Sequence, residues 1–380
     1  MKKTLLLSAI MMVMLAGCEN KQPENTGTGK NTSDLATQTT GELNIYNWSD
    51  YVDPDTVKAF EKENNIKVRY DYYDSNESLE AKILTGRSGY DLVAPSIANV
   101  GRQITAGAYQ PIDKSQLSYY SNINPDLLNM LNKVDPGNKY AVPYFWGINT
   151  IGINVDLVNK ALDNKLPDNL WDLIFNPEYT HKLKSCGISL FDSPTELYPL
   201  ALHYLGKDPN SSSPEDIKAA TELIKSVRHD VKRFSSSGYI DDMARGDLCI
   251  ATGYGGDLNI AKRRAEEAKS NVHLQVLVPK EGVGIWVDSF MIPIDAQNVA
   301  NALKYINYTL DPKVAAKNGN YVTFAPASKS AQQLMDQTYS NDPSIFPPSE
   351  VMAKSFLVMS KSLDAMKLSV RLFQQVKAGQ

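Results

Sequence analysis

Residues 43–94 read LNIYNWSDYVDPDTVKAFEKENNIKVRYDYYDSNESLEAKILTGRSGYDLVA. Leu43, Ile45 and the following Trp48 predict a first strand, and Asp53-Pro54 supplies an N-cap and an N1 proline for a helix running to about Glu63. Ile66-Lys67-Val68-Arg69-Tyr70 alternates as a second strand, Ser75 or Asn76 caps a helix through about Leu84, and Tyr90-Asp91-Leu92-Val93-Ala94 is a third strand. Strand, helix, strand, helix, strand implies a parallel sheet, because parallel neighbours need a crossover connection. In open parallel sheets ligands gather beyond the carboxyl ends of the strands. Trp48-Ser49-Asp50-Tyr51 and Pro95-Ser96 fall there. Read alone, they divide evenly between ligand contacts and a structural role, in which Trp48 and Tyr51 cover the sheet end and Asp50 makes a turn.

Outward from this unit, Tyr140-Ala141-Val142-Pro143-Tyr144-Phe145-Trp146-Gly147 leads into Thr150-Ile151-Gly152-Ile153-Asn154, an extended stretch long enough to cross between two lobes. The middle of the chain again alternates: an amphipathic helix after Pro214, a strand at Leu248-Cys249-Ile250-Ala251-Thr252, and a charged helix from about Asp257 to Lys269. Val272 to Val278 and Gly284 to Ile292 read as two strands joined through Pro279-Lys280-Glu281-Gly282. Asn298 to Leu310, and Glu350 onward, read as helices. No repeat at solenoid spacing is present.

The chain has 380 residues, 42% hydrophobic and 22% charged, enough for two packed domains and too apolar for a disordered one. A formal net charge of -4 argues against a nucleic-acid partner, since a phosphate lattice is met by a basic surface. Lys2 and Lys3 followed by apolar Leu5 to Leu15 form a secretory signal, too short to span a membrane. It ends in Leu15-Ala16-Gly17-Cys18, which resembles the lipobox of bacterial lipoproteins and implies lipidation at Cys18. From Glu19 to about Gly41 a run rich in Asn, Thr and Gly reads as a solvated tether. Export favours pairing the two remaining cysteines, Cys186 and Cys249. Two buried thiols are the alternative, and so is a metal pair, which lacks a C-x-x-C spacing and has only four histidines in the chain to draw on.

Asp288 interrupts Ile285-Trp286-Val287 and Phe290-Met291-Ile292, a run otherwise fit for a buried strand. A buried unpaired charge costs several kcal/mol, so this carboxylate is either held by a neighbouring Arg, Lys or backbone group or faces a cleft awaiting a cation. Asp257 follows the loop Gly253-Tyr254-Gly255-Gly256 and reads first as a helix N-cap. The glycine loop lacks G-x-x-x-x-G-K-[ST], and a carboxylate at that helix start would repel a phosphate. Ser193-Pro194-Thr195-Glu196 reads as a capping box in which Glu196 folds back on the Ser193 amide. No H-E-x-x-H or G-x-S-x-G motif is present.

Four of these stretches together, residues 43–51, 90–96, 144–154 and Trp286-Val287-Asp288-Ser289, closely resemble the polyamine-binding proteins of bacterial ABC importers, most of all the putrescine binders. The likeness runs from about residue 42 to the C-terminus. It implies an α/β, two-lobed type II periplasmic binding protein fold with a hinge between the lobes, closing on a linear diamine or polyamine. Carried over position by position, Trp48, Ser49, Asp50, Tyr51 and Ser96 form an aromatic-polar cluster, Glu196, Asp257 and Asp288 are acidic contacts, and Trp286 is an aromatic wall. Cys186 and Cys249 match the family's cysteine pair. Two positions depart: Tyr254 stands where the putrescine binder has tryptophan, and Phe324 where it has tyrosine. Trp286 is similar to the spermidine-preferring members, whereas putrescine-preferring ones carry phenylalanine, so the ligand stays open between putrescine and spermidine.

The resemblance implies a signal peptide at 1–17, a tether at 18–41, a first lobe from 42–145 and 288–322, and a second from 146–287 and 323–380. The hinge is expected near Phe145-Trp146-Gly147 and Val287-Asp288. The leading reading is a lipid-tethered periplasmic receptor that captures a polyamine and hands it to the membrane permease of an ABC importer, without cofactor, metal or catalysis. The competing readings are an exported carboxylate-based, glycosidase-like enzyme and a polyamine sensor on the same fold. They separate on what the acids need: general acid catalysis calls for a proton-bearing carboxyl, cation capture for ionised ones.

Overall fold

A computed structural model describes residues 41–379. The expected signal segment and Cys18 lie outside the described residues, as does the tether up to residue 40.

The opening follows the expected order. β1 (Gly41–Trp48), β2 (Ile66–Tyr73) and β3 (Leu92–Val93) run parallel, β1 between the other two. The helix Pro54–Asn64 begins where the Asp53 carboxylate accepts the Asp55 amide at 2.8 Å and ends at left-handed Asn65. Ser75 caps the helix Asn76–Ile83 in the same way. β4 (Tyr109–Gln110) is a short addition before the long β5 (Ala141–Asn154), whose fourteen residues are all buried. β6 (Ile188–Leu190), β7 (Arg233–Phe234) and β8 (Ile250–Tyr254) form a second parallel set, with β6 in the middle. β9 (Leu274–Leu277) and β10 (Gly284–Pro293) both pair antiparallel with β5, at different stretches of it. β11 (Ala325–Pro326) and β12 (Phe356–Leu357) add single turns of pairing to β5 and β10.

The main path through the sheet is β2-β1-β3-β10-β5-β8-β6-β7. Each parallel trio thus flanks a shared antiparallel pair, β10 and β5, which explains the uninterrupted apolar runs of those two strands. Two large apolar cores form on this frame, with two smaller clusters beside them, one around Tyr239 and Leu258 and one around Ala315 and Met335. The first large core gathers residues from Leu43 to Trp146 and from Ile285 to Leu357; the second gathers Ile148 to Val283 and Val351 to Val376. The chain changes core at Gly147 and at Gly284, and near its end it alternates, Val351 lying in the second core, Leu357 in the first and Ala365 in the second again. The fold is therefore a two-lobed α/β one.

Several details differ from what the sequence implies. Trp146 and Ile285 to Val287 pack into the first core and not the second lobe of 146–287, because β5 and β10 pair there, and Phe324, Ala325, Ala327, Ile345 and Leu357 do so in place of the second lobe of 323–380, β11 pairing with β5 at Trp146 and Phe145. The helix expected from Glu350 onward is two helices, Ser349–Met352 and Leu363–Lys377, separated by β12. Pairing of Phe356 and Leu357 with Gly284 and Ile285 competes with local helix propensity and wins. Cys186 and Cys249 are disulfide-bonded with Cα atoms 5.3 Å apart, tying the approaches to β6 and β8.

Candidate functional site

The carboxyl ends of both parallel trios face one cavity of about 290 Å³, and all eleven expected site residues line it. Tyr73, Asp74, Asn76, Ser236, Ser237, Ile240, Ile260 and Arg264 complete the wall. Trp48, at the end of β1, donates its indole N–H to the Ala94 carbonyl at 3.0 Å and packs on Tyr73 with ring centroids 4.7 Å apart. Ser49 and Asp50 are exposed at the rim, Asp50 in the left-handed conformation with φ 54°. Arg264 approaches Asp50 to 3.9 Å and bonds Asp241 at 2.7 Å.

The aromatic walls meet edge to face. Trp286 lies 5.0 Å from Phe324 and 6.0 Å from Tyr254, centroid to centroid, and Tyr51 lies 5.7 Å from Phe324. Two glycines make room: a Cβ on Gly147 would stand 2.5 Å from Trp286 Cζ2, and one on Gly256 would stand 2.4 Å from Phe324 Cδ1.

The three interior carboxylates resolve the alternatives left by the sequence. Asp288 is buried on β10 and accepts the Tyr51 hydroxyl at 2.9 Å, with the Ser96 hydroxyl beside it. Its Oδ1 has no partner. Glu196 does not close a capping box: the N-cap Ser193 makes no side-chain bond, and Glu196 Oε2 accepts the Asn149 amide instead. Asp257 is not the N-cap of its helix, Gly255–Glu267, because Tyr254 holds that position. Asp257 lies within the first turn and accepts the Tyr239 hydroxyl at 2.9 Å, while Tyr239 itself accepts the Tyr254 amide at 3.0 Å.

Among the described residues none of these three carboxylates forms an ion pair. Burial pushes each of them up to about 7: Asp288 against the Ser96 and Tyr51 hydroxyls, Glu196 against the Asn149 amide and with Asp288 and Glu77 adding to the rise, Asp257 against the Tyr239 hydroxyl and the Arg264 charge and with Asp50 adding to the rise. The site therefore gathers three acidic groups that burial keeps partly protonated near neutral pH, around one aromatic cavity. Such a cavity suits a cation that brings several N–H donors and an apolar stem.

Tyr73, Asn149 and Tyr239 escaped the sequence reading. Tyr73 is one of several tyrosines on β2, Asn149 is one polar residue in a long strand, and Tyr239 acts only through Asp257. Their partners lie 15 to 47 residues or more away, so no local pattern marks them.

The sequence profile of the bacterial extracellular solute-binding proteins matches residues 55–347. The chain is 46% identical to the putrescine-binding periplasmic protein SpuD of Pseudomonas aeruginosa, over 89% of this chain and 92% of that protein. It is 45% identical to the putrescine-binding periplasmic protein PotF of Escherichia coli, over 89% and 91% respectively. Its fold is similar to the crystal structure of the spermidine/putrescine ABC transporter substrate-binding protein PotD of Streptococcus pneumoniae, with a TM-score of 0.75 at 29% identity, covering 89% of this chain and 99% of that one.

Proposed function

The chain belongs to the bacterial extracellular solute-binding proteins, and from that premise we propose that it captures a linear polyamine, putrescine or spermidine, in the cavity between its two cores and delivers it to the permease of an ABC importer. The observation that carries this reading is the trio Glu196, Asp257 and Asp288, gathered around one aromatic cavity with hydroxyl and amide partners and, among the described residues, no ion pair. Each ammonium of a polyamine offers three donors and no acceptor, matching acceptor-rich ends, and the methylene stem lies against Trp286, Phe324 and Trp48. Tyr51, Ser96, Tyr254, Ser49 and Asp50 complete the proposed contacts. The names of the relatives, all binding proteins, support capture rather than catalysis.

The lobes of this receptor correspond to the two apolar cores, and the strands near Gly147 and Gly284 are the hinge. Closure brings Asp288 from one lobe against Glu196 and Asp257 from the other, so the dication stabilises the closed state that its own charge makes tolerable. The Leu15-Ala16-Gly17-Cys18 sequence supports export and a lipid anchor at Cys18, a periplasmic receptor held on a membrane tether.

Calorimetric titration of the purified protein with putrescine, spermidine, cadaverine and agmatine tests the reading. One site and a ligand-dependent rise in melting temperature are expected. Absence of both heat and melting shift with all four at millimolar concentration would overturn it. For the anchor, Cys18→Ser releases the exported protein from the membrane fraction, and an unchanged distribution would refute tethering through that residue.

A further inference from the structure

Asn149 is fully buried on β5, one of the two shared strands, where its backbone pairs with Tyr254 of β8 on one side and Gly284 of β10 on the other. Its side chain makes a single hydrogen bond, from Nδ2 to Glu196 Oε2, and its Oδ1 is buried without a partner. An orphaned buried carbonyl is costly, and an apolar residue of the same volume would avoid it. The amide is thus retained at a cost to the apo fold, and its only visible return is the bond to Glu196.

We propose that Asn149 is a positioning residue for ligand capture: its amide holds the Glu196 carboxylate in one orientation at the cavity wall and favours the charged form that an ammonium requires. The inference rests on the polyamine-binding reading and deepens it. An asparagine suits the task because its amide can donate to a carboxylate or, turned over, accept from a carboxylic acid; aspartate at this position would only repel, and leucine would do neither. The charged groups acting on Glu196 both oppose its ionisation, Asp288 from β10 and Glu77 from the helix Asn76–Ile83, while the Tyr254 phenol at the end of β8 stays neutral, its own ionisation disfavoured by Glu196. Among the described residues, Asn149 is the one neighbour that favours it for Glu196. Without the amide donor, Glu196 stays protonated to higher pH and meets the ligand as a neutral acid.

The test compares putrescine binding by the parent, Asn149→Leu, Glu196→Gln and the double variant between about pH 6 and 8.5. Asn149→Leu is expected to bind about tenfold or more weakly near pH 7, the scale of a lost hydrogen bond to a charged group. The deficit should shrink as pH rises, because Glu196 then ionises unaided, and it should vanish in the Glu196→Gln background. Asn149→Ser, which restores a donor, should recover part of the affinity. A deficit independent of pH, or one of equal size in Glu196→Gln, would show that Asn149 acts through packing and overturn the proposal. Should Asn149→Leu fold poorly, the slope of the Asn149→Ser profile alone decides between these outcomes. Failure of the parent to bind putrescine or spermidine at all would instead sink the polyamine reading itself.

Discussion

Gly147 of β5 lies directly beneath the indole of Trp286 on β10, in register across the antiparallel pair, with no room for a methyl group between them. The same glycine marks the point where β5 leaves one core for the other. A cavity wall and a hinge strand therefore share one contact. Gly147→Ala should push the rigid indole toward Phe324 and weaken putrescine binding by about tenfold or more, the scale of strain from overpacking. Titration calorimetry gives the affinity, and tryptophan fluorescence reports whether the indole moved. Parent-like affinity would mean that the indole can slide without narrowing the cavity.

Replacing interior carboxylates separates ligand roles from structural ones. Asp288→Asn and Asp257→Asn should each weaken binding by about 2–5 kcal/mol, as truncation of one partner in a buried charge pair does. The apo melting temperature should hold or rise for Asp288→Asn, since an amide keeps an acceptor for the Tyr51 hydroxyl and removes a carboxyl that burial disfavours. A variant that melts lower yet binds diamine normally would assign its aspartate to the fold.

The pH dependence has a definite sign. Glu196, Asp257 and Asp288 lie at about 7 in the folded protein against ordinary values of 4.5, 3.8 and 3.8. A carboxyl raised on folding contributes most below its unfolded value, and that contribution is lost as pH rises through about 7. The apo protein should therefore lose stability across this window, while the ligand, which needs the ionised forms, regains it. Scanning calorimetry with and without putrescine should show a melting shift that widens from about pH 5.5 to 8. A shift that narrows over that range would contradict capture by ionised acids.

Reduction of the Cys186–Cys249 bridge, which encloses a sequence separation of 63 residues, should cost the second lobe about 2–4 kcal/mol. Thiol labelling of the denatured, unreduced exported protein should find neither cysteine free. Two labelled thiols would leave the pair unbridged in the cell.

Selectivity turns on Trp286. Its face spans the distance between Phe324 and Tyr254, and each additional buried methylene is worth about 0.8 kcal/mol if the secondary ammonium keeps a polar partner. Spermidine should bind at least as well as putrescine, and Trp286→Phe should move the ratio toward putrescine. If spermidine binds tenfold weaker in both proteins, selectivity lies elsewhere in the wall.

The parallel opening was legible because strand alternation, Asp53-Pro54 and Ser75 all act within a few residues. Asp288 was legible because a carboxylate in an apolar run has no local excuse. Glu196 was hidden by a competing local pattern, the capping box, which gives way to an asparagine 47 residues earlier. Asn149 itself carried no mark, since nothing near it in the chain announces a distant glutamate. The split of the expected C-terminal helix has the same origin: Phe356 and Leu357 answer to Gly284 and Ile285, not to their neighbours. Such long-range pairings are what propensity and periodicity omit.

The return of the chain to both cores also sets a timetable. The first core takes in residues as late as Ile345 and Leu357, and the second takes in Phe373 and Val376, so neither can be completed while synthesis is still short of the C-terminal segment. Contacts of such high sequence separation form slowly, because the loop-closure entropy is lost before they can repay it. A polypeptide emerging from its amino end would remain open for most of its production, which is the state in which a chain can be threaded through a narrow pore.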